Sequence, residues 1–187
     1  MKQSNAMIAI DATNLFKGER KHNWKIDYRK LKEYFEKRYS IIQSNYYDGY
    51  PTFSLEKHRI KGLTHEKFSE MKQRVDYKFK KIQDSGWKII KKPVSFVIDS
   101  SKVIPKCNFD VEITIDAIDN IYNFDTFILG SGDGDFTPLV GYLKNNGKNV
   151  IVFSWRDRLS TDLRKSTPNI IKIGSLKKNI QLPEKYK

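Results

Sequence analysis

In the stretch FILGSGDGDF, residues 127–136, an apolar run ends abruptly at Asp133 and Asp135, two carboxylates separated by one glycine. Carboxylates presented at the exit of a buried strand can bind a cation, move a proton or cap the next helix. Gly130, Gly132 and Gly134 allow the tight turn that would bring them there. MIAID, residues 7–11, ends the same way on Asp11, with Asn14 three residues beyond. A lone aspartate in that place also serves as a turn former or helix cap. A third acid, Asp110, opens DVEITIDAIDNIYN and is placed to N-cap a helix, a role that needs no chemistry. Asp116 falls on the body of that helix.

The surrounding elements must carry these acids. With Thr137 as N-cap and Pro138 at the first helical position, Leu139, Val140, Tyr142 and Leu143 form a short amphipathic helix closed by Gly147, and KNVIVFSW supplies the next strand. Strand, acidic turn, helix and strand make a βαβ crossover. Upstream, Leu31, Tyr34, Phe35 and Tyr39 mark a helix capped by Asp27, and SIIQSNYYDG reads as a strand with Ile41 and Ile42 at its apolar centre. Residues 51–63 read as a loop. Phe68, Met71, Val75, Phe79 and Ile82 step by three and four along a helix that ends at Gly86. Its other face carries Lys67, Lys72, Arg74, Lys78, Lys80 and Lys81, read as solvated charge. WKIIKKPVSFVID is a third strand region that Pro93 demotes in part to an edge. Val111, Ile115, Ile118 and Ile121 define one face of the Asp110 helix, SWRDRLSTDLRK is a short basic segment, and NIIKIG is a last short strand.

Alternating strands and helices give an α/β class with a mainly parallel sheet. The expected organisation is a single domain over residues 7–173, a leader or tag remnant over 1–6 and a basic C-terminal tail over 174–187. In a parallel sheet the strand ends share one edge, where ligands bind. Asp11 and Asp133 sit there, and the helix that starts with Asp110 begins near the same edge if the chain crosses over once between the third and fourth strands. Unpaired carboxylates brought together repel and shift their pKa values. Mg²⁺ or Mn²⁺ relieves that conflict, preferring oxygen ligands and retaining waters that can become nucleophiles.

The 187-residue chain carries 35 basic against 22 acidic side chains, a net charge of +13 that favours a polyanionic partner. Aromatics interleaved with the lysines favour nucleic acid over a membrane surface, because bases stack on rings. No apolar run approaches ~20 residues, so no transmembrane helix is expected. Cys107 is the only cysteine, which rules out an intramolecular disulfide and a multi-cysteine zinc site and suits a reducing cytoplasm. His22, His58 and His65 lie in polar surroundings away from the acids and read as surface residues. Self-association, as a homo-oligomer, is left open.

Motif readings of DGDFT compete. An EF-hand loop beginning at Asp133 would need glycine at its sixth position and glutamate at its twelfth, and finds Pro138 and Lys144. Asp133, Asp135 and Thr137 match the D-x-D-x-T of haloacid-dehalogenase-type phosphatases. That motif belongs near a domain's start, and only Asp157 and Asp162 follow here.

Strand-Asp11-x-x-Asn14, the KCNFDVEITIDAI segment and SGDGDFTPLVGYLKNNGKNVIVF together resemble an NYN domain, the PIN-like, LabA-like group of metal-dependent nucleases. The resemblance implies a Rossmann-like, three-layer PIN-like fold with strand order 3-2-1-4-5 and an acidic metal site at the carboxyl edge. By matching position it implies Asp11, Asp110 and Asp133 as catalytic ligands of Mg²⁺ or Mn²⁺, with Asp135 as a further or water-mediated ligand. Asn14 and Ser131 would orient carboxylates or water. Where members more often carry Lys-Gly-Val-Asp, this chain has Lys106, Cys107, Asn108, Phe109 and Asp110, one residue longer. The implied reaction is metal-assisted phosphodiester hydrolysis, with Lys17, Lys106, Arg156 and Arg158 as candidates for backbone phosphates; the expected partner is nucleic acid, single-stranded RNA being favoured over DNA. The alternatives are a nucleic-acid-binding module without catalysis and another metal-dependent phosphohydrolase.

Overall fold

The computed structural model describes residues 3–52, 64–99 and 102–183; His58 and most of the expected 51–63 loop lie outside them. Strands β1 (Ser4–Asp11), β2 (Tyr39–Tyr50) and β3 (Lys88–Pro93) are followed by an antiparallel hairpin, β4 (Ser95–Asp99) and β5 (Lys102–Lys106). Then come β6 (Thr126–Gly130), β7 (Asn149–Ser154) and β8 (Ile170–Lys172). The main sheet is parallel, in the order β3-β2-β1-β6-β7-β8. Numbered within that sheet, this corrects the expected 3-2-1-4-5 order by adding a sixth strand at the β7 edge, the NIIKIG segment.

Side chains alternate across the strands, so each face builds its own core. Ile8, Ile10 and Ile128 pack with Leu15 of α1 (Ala12–His22), Leu31 and Phe35 of α2 (Tyr28–Glu36) and Phe79 of α3 (His65–Asp84). Met7, Ala9, Phe127 and Leu129 pack with Ile113 of α4 (Asp110–Asp119), Leu139 of α5 (Thr137–Asn145) and Leu163 of α6 (Thr161–Ser166). Three layers result.

Several expectations need correction. β1 begins at Ser4: Ala6 is buried and pairs with Thr126, so Ser4, Asn5 and Ala6, assigned to the leader, are sheet residues. Helix α1 was not foreseen, because its buried residues are Ala12, Asn14, Leu15 and Gly18, small or polar apart from Leu15. In β2, Ile42 is exposed and the buried stretch is Ser44 to Tyr47. The third strand region splits at Val94, its second half leaving the sheet as β4. α5 starts at Thr137 with Phe136 at its N-cap, because a 3₁₀ turn over Gly134–Phe136, capped by Asp133, intervenes. The tail also folds: α7 (Lys177–Ile180) buries Ile180, and Gln181 bridges to Ile26.

Candidate functional site

β1 and β6 end together. Ile10 pairs with Gly130, which leaves Asp11 and Ser131 as the next residues of the two strands. The Ser131 hydroxyl, fully buried, donates to Asp11 Oδ2 at 3.1 Å and accepts the Asp133 N–H at 3.2 Å. Asp11 Oδ1 accepts the Asn14 backbone N–H at 3.1 Å, capping α1, and Oδ1 of the buried Asn14 side chain accepts the Gly132 N–H at 3.1 Å. These bonds tie the start of α1 to the SGDGD turn. Asp133 accepts the Asp135 N–H at 3.2 Å, so the cap role weighed against chemistry is real at both Asp11 and Asp133.

α4 starts at the same edge, after the chain has left the sheet through the β4–β5 hairpin. Its N-cap is Phe109 rather than Asp110, which is the first helical residue. Asn108 holds that acid from both sides: its Oδ1 accepts the Asp110 N–H and its Nδ2 donates to Asp110 Oδ2, each at 2.7 Å. Sequence reasoning passed over Asn108, although an asparagine two residues before a helix is a known backbone-capping position.

Asp11, Asp110 and Asp133 line one cleft of about 250 Å³, together with Thr13, Asn14, Lys17, Cys107, Asn108 and Phe109. Burial pushes the Asp11 carboxyl up to about 6, and the charges of Asp110 and Asp133 add to that rise against the Asn14 and Ser131 hydrogen bonds. Asp110 is also raised, first by burial and then by Asp133 and Asp135, with the Asn108 bond opposing. The acids therefore feel one another. Asp135 is exposed and does not line the cleft. Among the described residues no three acidic, histidine or cysteine side chains stand close enough to hold an ion directly.

Of the predicted phosphate contacts, Lys17 lines the cleft one turn after Asn14. Arg156 and Arg158 lie on the turn after β7, which meets the SGDGD turn through the Ser160 N–H and Gly132 O, 2.9 Å apart; neither arginine lines the cleft. Lys106 ends β5, one residue before Cys107. His22 stacks on Trp155 and bonds to Asp157 away from the acids, and His65 opens α3 as an exposed residue.

A three-layer parallel sheet with carboxylates gathered beside the ends of β1 and β6 is the frame of a PIN-like domain. The chain belongs to the NYN domain family, whose profile matches residues 5–174. It is 25% identical over 189 residues to the low amplitude and bright protein LabA of Synechococcus elongatus, covering 98% of this chain and 91% of that protein. It is also 37% identical over 67 residues to an uncharacterised protein of Methanocaldococcus jannaschii, covering 35% of this chain and 28% of the archaeal one. A crystal structure of a protein of unknown function from Vibrio parahaemolyticus shares the fold, with a TM-score of 0.71 and 22% identity over 97% of this chain and all of that one. NYN is a PIN-like nuclease family, and membership gives the chain a nuclease or nucleic-acid-related role. No helix among the described residues is long and apolar enough to cross a membrane.

Proposed function

We propose that the chain is a metal-dependent nuclease hydrolysing phosphodiester bonds, with single-stranded RNA preferred to DNA. The observation that carries this reading is the meeting of Asp11, Asp110 and Asp133 in one cleft with Lys17. The three acids offer oxygen donors, which a hard cation prefers, and because no three of the described acids stand close enough to hold one ion directly, Mg²⁺ or Mn²⁺ would bind through one or two carboxylates and keep its waters. When bound, such an ion supplies Lewis acidity towards the scissile phosphate. In this reading Asp11, Asp110 and Asp133 hold the cation, one or two of them directly and the rest through its waters, and Asp135 also acts through water from the rim. Ser131 and Asn14 fix the Asp11 carboxylate and the turn, and Lys17 draws in the phosphate. A non-catalytic nucleic-acid-binding module is the second reading, favoured by the capping bonds that Asp11 and Asp133 already make.

Labelled single-stranded RNA and DNA incubated with the protein in Mn²⁺, Mg²⁺ or EDTA separates the two. Cleavage should need the ion and vanish in Asp11→Asn and in Asp133→Asn. Cleavage indifferent to EDTA and to both substitutions would sink the proposal; intact substrate under every condition, with retained binding, would favour the second reading.

A further inference from the structure

Helix α1 buries Ala12, Leu15 and Gly18 and leaves the Phe16 ring 53% exposed. A single exposed ring is ordinary, but the neighbours of this one set it apart. Thr13 and Lys17, three residues before it and one after, both line the acidic cleft. On a helix, positions 13, 16, 17 and 20 fall along one stripe, with neighbouring Cβ atoms about 5–6 Å apart. Phe16 therefore borders the cleft wall that Thr13 and Lys17 form. Among the described residues no second ring and no cation is stacked on it.

The rest of the stripe is positive. Lys17 and Arg20 are exposed, and neither is in an ion pair among the described residues, whereas Lys21 and His22 are both drawn to Asp157. Glu19, the one acid of α1, accepts the Ile26 N–H at 2.8 Å rather than pairing with either cation. A flat apolar face between two cations, beside acids that attract a metal-bound phosphate, matches the parts of a nucleotide: a ring and its flanking phosphates. A protein surface would find one ring and no apolar surround. A duplex is also a poor fit, because its bases are already stacked on both sides, whereas a single strand can splay a base onto an aromatic side chain.

We infer that Phe16 is a base-stacking subsite of the cleft. The base next to the cleft phosphate lies on its ring, Lys17 takes that phosphate and Arg20 the next one outward. The inference rests on the reading that a nucleic-acid strand enters this cleft, and gives its preference for single strands a physical source. Every base has a π-face, so the subsite selects strandedness and register rather than sequence.

The test uses a short single strand carrying one fluorescent adenine analogue, whose emission is quenched by stacking, and the same strand annealed into a duplex. Both are titrated with the full chain in EDTA and in Mn²⁺. Phe16→Ala should weaken single-strand binding by about 5- to 150-fold, the loss of one base–aromatic stack, and abolish the quenching. Its duplex affinity and salt slope should match the wild type, and Phe16→Trp should keep both affinity and quenching. Lys17→Gln and Arg20→Gln should each flatten the salt slope by about 0.7. If the alanine variant folds poorly, Phe16→Leu, which keeps the apolar bulk without the flat face, takes its place. A folded variant that binds and quenches as the wild type does overturns the inference. So does an equal loss on single strand and duplex, or a wild type that binds no single strand in either buffer. Cleavage is read separately. Metal-dependent cleavage with an unaltered Phe16→Ala overturns the stack and leaves the nuclease reading standing; single-strand loss in Phe16→Ala from a wild type that never cleaves supports the stack and removes the nuclease.

Discussion

The Tyr47 hydroxyl donates a 2.6 Å hydrogen bond to Asp116 Oδ2, and Asn45 Nδ2 reaches both, at 3.0 Å to the hydroxyl and 3.2 Å to the carboxylate. Tyr47 stands opposite Asp11 in the β1–β2 register, and Asp116 lies on α4 about 9 Å along the axis from Asp110. The bond therefore fastens the helix carrying one cleft acid to the strand beside another. Tyr47→Phe removes the donor and leaves a part-buried carboxylate short of a partner. Stability should fall by about 1–3 kcal/mol, seen as a lower urea midpoint at unchanged slope. An unchanged midpoint would show that Asn45 and solvent suffice for Asp116.

Gly132 is tied to its place by close approach rather than by an unusual φ. A Cβ there would lie 2.3 Å from Arg158 O and 2.5 Å from Ser154 Oγ, so the turn carrying Asp133 and the turn after β7 would have to part. Gly132→Ala should cost roughly 1–3 kcal/mol by overpacking. Gly141→Ala makes the contrast, since nothing lies within 4 Å of its added Cβ in α5. That change should raise stability by about 0.5–1 kcal/mol through helix propensity. Thermal melts of the two variants check both signs.

Burial raises the Asp11 carboxyl to about 6 and the Glu19 carboxyl to about 7, the latter against the Ile26 N–H it accepts at 2.8 Å. Their ordinary values are 3.8 and 4.5, so between about pH 4 and 7 the folded chain keeps protons that the unfolded chain has lost. Stability of the metal-free protein then falls as pH rises through that window, Asp11 accounting for on the order of 3 kcal/mol. Urea midpoints should be higher near pH 5 than near pH 8, and Asp11→Asn should lose its share of the slope. A midpoint that climbs with pH would contradict this.

The meeting of Asp11, Asp110 and Asp133 at one edge was legible because it rests on local features: apolar runs that stop at an acid, turn glycines, and a helix that must begin where a strand has finished. The buried face of α4 was not. Val111, Ile115 and Ile118 repeat at helical spacing, as do Ile113, Ala117 and Ile121, and only the sheet beneath decides which set is covered. α1 stayed hidden for a related reason. Gly18 is buried there because the Trp155 ring occupies the space of a side chain, with Cδ1 2.0 Å from where a Cβ would stand, a contact made across more than 130 residues. The tail reads as polar because Ile180 is one apolar residue among lysines, yet it is fully buried.

The basic surface should bind single strands largely through their backbone. Each neutralised phosphate contributes about −0.7 to the slope of log K against log salt, so a footprint of four to six contacts gives roughly −3 to −4. Fluorescence anisotropy with labelled oligonucleotides over a salt series measures it. A slope near zero would assign the +13 charge to solubility instead.

Metal binding has a signature that does not depend on finding the right substrate. Asp11 and Asp110 are raised partly by neighbouring acids, so the metal-free cleft stores repulsion that a cation would relieve. Bound Mn²⁺ should stabilise the wild type by RT ln(1 + [M]/Kd), about 2.7 kcal/mol at a concentration 100 times Kd. Asp133→Asn should lose most of that gain. Its own metal-free stability is set by opposing effects: the substitution removes a charge that disfavours Asp11 and Asp110, while asparagine can still accept the Asp135 N–H. The metal-free variant should therefore melt at or slightly above the wild type. Were these acids only caps, Mn²⁺ would move neither protein and the substitution would leave stability level or lower it. Four melting curves, wild type and Asp133→Asn with and without millimolar Mn²⁺, distinguish the cases, and a wild type that does not shift with the ion counts against a metal site in this cleft.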